Sequence, residues 1–178
     1  MILELETIGS KIEGISQPFG AYMAECAAVC FHSQGHKSGV KLSFSNEKTT
    51  KQASVEWAIE VNNRLMNSHF DERRTTDFGA MGVAVLLASK LTDYTHFSTS
   101  TTDNGYDFRL TKGDDDLNFI AARLEISGIR KATKQNTVQS RLKVKEQQIL
   151  KYADRASDTV YYVSIIEFSK PEAKFIQK

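Results

Sequence analysis

Apolar positions along this chain repeat with two different periods, and the switches between them divide it into elements. In FGAYMAECAAVCFHSQGH, which Pro18 opens, Phe19, Met23, Cys26 and Cys30 are spaced by four, three and four residues. That spacing puts them on one helical stripe, with Gly35 placed to end it. The short segment before it admits a strand. After Gly39, Val40, Leu42 and Phe44 alternate with polar neighbours as a half-buried strand does, and SNEKTTKQ follows as a polar loop. SVEWAIEVNNRLMN carries both periods: Val55, Trp57 and Ile59 fit a strand, whereas Trp57, Val61 and Leu65 fit a helix. The expected arrangement is a strand to about Ile59 and then a helix, with Trp57 in the core.

A second long helix is predicted over TTDFGAMGVAVLLASKL, capped by the cluster from Thr75 to Asp77 and carrying the stripe Phe78, Met81, Val85 and Ala88. Gly79 and Gly82 weaken a helix relative to alanine, which predicts close packing of this helix on a sheet. Tyr94, His96 and Ser98 then alternate with Thr95, Phe97 and Thr99 as a strand, in which His96 reads as structural. Two further strands follow. In the first, Tyr106, Phe108 and Leu110 face one way and Asp107 and Arg109 the other. In the second, Ala122, Leu124 and Ile126 oppose Arg123, Glu125 and Ser127. KGDDDLN between them is turn-rich and predicts a hairpin, which would set Asp107 and Glu125 side by side on one face. TKQNTVQSRLKVKEQQILKYADRAS reads as a helix with Val138, Leu142 and Ile149 in one stripe and Lys145 in its middle. DTVYYVSIIEFS is a last strand, closed by Pro171.

The order predicts a mixed α/β protein, a central mixed sheet flanked by helices. With 178 residues, 40% of them hydrophobic, the chain suits one core and one domain: a helix and strand layer over residues 1–70, then a core over 71–170. MILELETIGS has no basic start and apolar run, and no long apolar stretch follows, so a soluble, cytoplasmic protein without membrane contact is expected. The two cysteines predict no disulfide framework. A formal net charge of +1 hides a local imbalance. Between Arg123 and Lys145 lie Arg123, Arg130, Lys131, Lys134, Arg141, Lys143 and Lys145 against the single acid Glu125. Such a segment suits either a polyanion such as DNA or simply a solvated face.

The chemistry-bearing residues each admit a sharper and a plainer reading. Cys26, Cys30, His32 and His36 crowd into eleven residues and suggest zinc, but the helical stripe accounts for both thiols as core. Asp114, Asp115 and Asp116 suggest calcium, yet lack the glycine and distal glutamate of an EF-hand loop; a solvated turn is the plainer reading. Lys145 within an apolar stripe needs either a carboxylate partner on the neighbouring sheet or a route out to water. Asp107 and Glu125 form either a metal site or, with Arg109 and Arg123, a cross-strand ion-pair network. Phosphate-binding glycine loops, GxSxG, paired CxxC and HExxH are all missing from the sequence.

From Asp71 onward, helix, three strands, helix and strand, with an acid on the second strand and another eighteen positions later on the third, resembles the core of the PD-(D/E)XK nuclease superfamily. The resemblance covers roughly Thr75 to Ser169. It implies that Asp107 and Glu125 bind Mg²⁺ or Mn²⁺ and that the substrate is DNA. Tyr106 stands where the family has proline, and Ser127 where it has the lysine that orients the attacking water. Some members place that lysine on the following helix, which corresponds to Lys145 here, and some take a further ligand from the first core helix, where this chain has Glu72 and Asp77. QGHKSGV and ARLEISGI are also similar to stretches of uncharacterised bacterial proteins, which implies no function. Two expectations follow: a Mg²⁺-dependent nuclease using Asp107, Glu125 and Lys145, or an inactive nuclease-fold subunit that binds a protein partner or a second copy in a bacterial defence or DNA-processing complex. An immunity or inhibitor role is a third.

Overall fold

The computed structural model describes residues 1–46, 49–101, 105–113, 122–153 and 159–178, of which 151–153 by backbone alone. The acidic cluster Asp114 to Asp116 and the expected end of the last helix, from Asp154 to Ser157, lie outside the described residues. In chain order the elements are β1 (Ile2–Glu4), a 3-10 turn (Leu5–Thr7), α1 (Ile8–Lys11), α2 (Gln17–Ser33), β2 (Val40–Ser45), β3 (Thr50–Glu56) and α3 (Asn63–Ser68). Then come α4 (Glu72–Leu91), β4 (His96–Thr99), β5 (Phe108–Thr111), β6 (Ala122–Ile129), α5 (Val138–Ala153), β7 (Val160–Glu167) and β8 (Glu172–Gln177). The molecule is the mixed α/β protein that its hydrophobic pattern predicts.

Among the described residues eight strands form one sheet in the order β1-β3-β2-β8-β7-β6-β5-β4. The pairs β1/β3, β2/β8 and β6/β7 are parallel and the others antiparallel. Residues 1–70 thus supply three strands to the same sheet that carries the later elements. The two faces of the sheet are filled by alternation along each strand. Ala122, Leu124, Ile126, Tyr162 and Ile166 join Met23, Ala27, Val83 and Leu87 of α2 and α4 in the larger core. Ile129, Tyr161, Val163, Ile165 and Ile176 meet Val138, Leu142 and Ile149 of α5 on the other face. α5 is the crossover that a parallel β6/β7 pair requires.

Several boundaries differ from the sequence pattern for identifiable reasons. α4 starts a turn earlier than expected: Asp71, not the Thr75 to Asp77 cluster, accepts the Arg74 N–H at 3.0 Å, and Thr76 Oγ1 instead donates to the Glu72 carbonyl at 2.6 Å. β3 begins at Thr50, inside the stretch expected as loop, and stops at Glu56. Beyond it the Glu6 carboxylate accepts the N–H groups of Ala58 (2.6 Å) and Ile59 (3.1 Å), so a side chain replaces the next strand partner. α5 begins at Val138 rather than Thr133, because Thr137 Oγ1 caps it by accepting the Ser140 N–H at 3.1 Å. Pro171 does not end the structure. It sits in a turn that leads into β8, the strand linking the two halves of the sheet.

The N-terminal segment ties the two sheet edges together. The β1 edge is held by Ser54 N–H to the Met1 carbonyl, and at the opposite edge Glu13 bridges His96, with Phe97 N–H donating to the Glu13 carbonyl at 2.9 Å. Eight strands laid flat would separate those edges by roughly 34 Å. From Glu4 to Glu13 the chain, mostly helical turn, reaches only about 20 Å. The sheet is therefore strongly coiled, around α2 and α4, and α4 touches β1 as well as β6, β7 and β8.

Gly79 and Gly82 do mark close packing, but against α2 rather than the sheet: a Cβ on Gly79 would lie 3.0 Å from the Ala27 nitrogen, and one on Gly82 3.1 Å from the Met23 carbonyl. The tight contact with the sheet is made by Gly128 of β6, where an added Cβ would meet the Thr76 carbonyl at 2.7 Å and Ala80 Cβ at 3.0 Å. Helix backbone yields little, so Gly128→Ala is expected to destabilise the fold by about 1–3 kcal/mol. Chemical denaturation measures this, and an unchanged midpoint would show that α4 does not rest on β6 as described.

Candidate functional site

The site grows from the register of β5 on β6. Phe108 opposes Leu124 and Arg109 opposes Arg123, and just before the ladder Asp107 N–H donates, one residue out of register, to the Leu124 carbonyl at 2.9 Å. Asp107 thereby lies beside Glu125, near enough for its charge to act on the Glu125 carboxyl, on the face from which Lys145 of α5 acts on both. The pair sits at the limit of β5: Ile126 N–H donates to Asp107 Oδ2 at 2.7 Å, so the carboxylate takes the place of a strand carbonyl. Glu125 is 4% exposed. Lys145 reaches down from α5, and its ammonium donates to Glu125 Oε1 and, at 3.3 Å, to Gln148 Oε1. Gln148 Nε2 also donates to Glu125 Oε1 at 3.4 Å. Of the two readings of Lys145, the structure thus gives the carboxylate partner on the sheet.

A cleft of about 710 Å³ opens beside this group. Asp107, Ser127 and Lys145 line it from the sheet and α5, and Glu72, Arg73 and Asp77 from the first turns of α4. Arg130, Lys131 and Arg141 complete a basic rim. Asn136 orients Arg141 through a 2.7 Å bond from Nε. The segment carrying Arg130 and Lys131 is fastened by buried Glu167, which accepts from Ala132 N–H (3.3 Å), Ser169 N–H (2.8 Å) and Lys170 N–H (2.6 Å).

Burial pushes the Glu125 carboxyl up to about 7; Asp107 opposite pushes in the same direction, and Lys145 pulls against both. Asp107 is also raised, first by burial and then by Asp77, against the Ile126 N–H and Lys145. Asp77 is raised by desolvation in the cleft despite Arg73, Arg141 and Lys145. Excess negative charge is thus gathered at one point, which Lys145 only partly offsets.

Of the residues expected to bind nucleic acid, Arg130, Lys131 and Arg141 reach the cleft, whereas Arg123, Lys134 and Lys143 do not line it. Arg123 stays on the sheet, with its guanidinium over the Tyr106 ring at 4.8 Å and the Tyr161 ring at 5.3 Å. Lys134 and Lys143 project into solvent. The ion-pair network of Asp107 and Glu125 with Arg109 and Arg123 does not form; the cation on the acids is Lys145. Arg73 was not legible as a site residue. Its signal was present, since two arginines stand in the first turn of α4, where the helix dipole disfavours cations.

Away from the cleft, Cys26 and Cys30 are buried, with their thiols pushed up to about 12 and about 11, chiefly by burial. Cys26 Sγ lies 3.5 Å from His69 Nδ1, and Cys30 Sγ lies 3.4 Å from an Arg130 nitrogen. His32 is exposed and His36 is bonded to the Ser169 carbonyl at 3.1 Å, so the four residues do not converge. Among the described residues no group of three or more His, Cys, Asp or Glu side chains is arranged to hold a metal ion. No helix among them is long and apolar enough to cross a membrane. Comparison of the chain with profiles of known families, with curated proteins and with solved structures finds no match.

The raised Glu125 carboxyl carries a stability signature. The folded protein holds this proton between pH 4.5 and about 7, where the unfolded chain has released it. The resulting stability is full below pH 4.5 and is lost as pH rises through about 7. Glu125→Gln keeps an acceptor for Lys145 and removes this loss. Its melting temperature relative to wild type is expected to rise from pH 5 to pH 8; a pH-independent difference would contradict the burial of this charge.

Proposed function

We propose that the cleft is a metal-dependent phosphodiesterase site acting on DNA, in a cytoplasmic protein of the PD-(D/E)XK nuclease type. One juxtaposition supports this: two carboxylates from adjacent strands and a lysine from the following helix converge where a cleft rimmed by Arg73, Arg130, Lys131 and Arg141 opens. The oxygen-only donor set of Asp107 and Glu125 fits a hard divalent cation such as Mg²⁺ or Mn²⁺, which takes one or two carboxylates and leaves its other positions to water and phosphate. When bound there, such an ion lowers the pKa of a water molecule and offsets charge developing on the phosphate.

The chain's own groups have separable roles. The basic rim attracts and seats the polyanion. Ile126 N–H fixes one oxygen of Asp107 and so sets the angle of its carboxylate toward the cleft. Lys145 stands in for the lysine absent at Ser127: its ammonium lines the cleft, holds Glu125 and orients the attacking water by donating a hydrogen bond. Ser127 in the cleft also favours a second reading, an inactive subunit that retains the surface and assembles with a protein partner or another copy of itself.

Calorimetric titration of Mn²⁺ and Mg²⁺ separates the two. Wild type is expected to bind, and a folded Asp107→Ala, Glu125→Ala variant is expected not to. Lys145→Ala removes a competing cation, so it should bind Mn²⁺ at least as tightly while cleaving DNA about 100-fold more slowly or worse. Absence of binding to well-folded wild type, with or without DNA, would sink the enzyme reading in favour of the assembly subunit.

A further inference from the structure

Next to the acid pair, on the same face of the sheet, two arginines oppose each other. Arg109 of β5 pairs with Arg123 of β6, which pairs in turn with Tyr161 of β7, so the three form one row across the strands. Like charges placed directly opposite destabilise a strand pair. Among the described residues no carboxylate lies within ion-pair distance of either guanidinium to offset it. The Nε atoms of both arginines are buried without an acceptor. Arg123 is nonetheless held in place, stacked against Tyr106 and Tyr161 and donating to the Tyr161 hydroxyl. Both residues keep part of their surface in solvent, and neither lines the cleft.

Two planar forks on paired positions of adjacent strands, each with an Nε that has no acceptor and partly exposed to solvent, match a tetrahedral oxyanion with several acceptor oxygens. We propose that Arg109 and Arg123 form an oxyanion subsite, separate from the cleft, that takes a phosphate group of a nucleic-acid strand. The row lies two residues along the strands from Asp107 and Glu125, roughly 7 Å away. It would hold one phosphate while a neighbouring one lies at the acid pair. That the phosphate belongs to a nucleic acid rests on the function proposed above; the subsite itself rests on the pairing of the two arginines and their unpartnered Nε atoms. The ligand is either a terminal phosphate monoester or an internal diester of the strand.

The test is calorimetric titration of inorganic phosphate at constant ionic strength with EDTA present. Wild type is expected to bind phosphate, and Asp107→Ala, which removes a nearby negative charge, at least as tightly. Arg109→Gln should weaken the dissociation constant at least tenfold, with an unchanged circular dichroism spectrum and, in phosphate-free buffer, a melting temperature no lower than wild type. Arg109→Lys should recover part of the affinity. Failure of wild type to bind phosphate, or an isotherm unaltered in Arg109→Gln, overturns the subsite. Single-stranded oligonucleotides with and without a 5′-phosphate then distinguish the sources. A tenfold preference for the phosphorylated strand that Arg109→Gln abolishes identifies a strand end. Equal affinities that Arg109→Gln lowers tenfold identify the backbone, and affinities untouched by the substitution overturn the proposal. Phosphate binding that persists when the cleft binds no metal would leave the subsite standing and remove the nuclease reading alone.

Discussion

Placing two carboxylates side by side on neighbouring segments of a sheet and then covering them with a helix is unfavourable twice, through lost hydration and through repulsion. The local arrangement is organised around offsetting that cost. Ile126 N–H can serve Asp107 because it takes a side-chain oxygen where the ladder would otherwise take a carbonyl. Lys145 can serve Glu125 because α5 crosses above β6 on its way to β7. Remove the crossover and the acids have no cation. Remove the acids and an ammonium is stranded in an apolar stripe.

β6 is the strand where structure and chemistry meet. Its even-numbered residues enter the core with α2 and α4, while its odd-numbered ones give the face that holds Arg123, Glu125 and Ser127. It lies between an antiparallel neighbour, β5, and a parallel one, β7. The first brings Asp107 by a local connection; the second brings the crossover helix and, through Glu167, a fixed path for Arg130 and Lys131. A rigid strand buried on both faces therefore sets the positions of groups drawn from four other elements.

The acid pair was legible in the sequence because a period of two leaves no choice of face once the core side is known, and turn-rich KGDDDLN signalled that the strands are neighbours. Lys145 was legible as an anomaly in a helical stripe, but whether it paired or reached water depended on what lay beneath α5. Arg73 and Glu167 escaped because their roles arise from contacts between segments far apart in the chain. Arg123 misled: its place in a basic run suggested a surface, whereas two aromatic rings hold it against the sheet. β8 escaped because six residues after a proline carry too little pattern to distinguish a strand from a tail. Its place was determined by partners, Ser43 to Ser45 on one side and Tyr162 to Glu167 of β7 on the other.

That placement constrains how the chain can be assembled. β7 and β8 follow every other strand in sequence yet occupy the middle of the sheet. During vectorial synthesis, β1 to β3 and the β4 to β6 meander exist first as two fragments. Each then presents an unpaired edge to solvent, and the N-terminal strap and the packing of α4 on α2 and β1 hold them near each other. Insertion of the last hairpin between them is a late, non-local step, slow by the measure of sequence separation. Until it occurs, both edges are templates for pairing with another chain. A newly made copy is thus most exposed to association with its neighbours just before it closes.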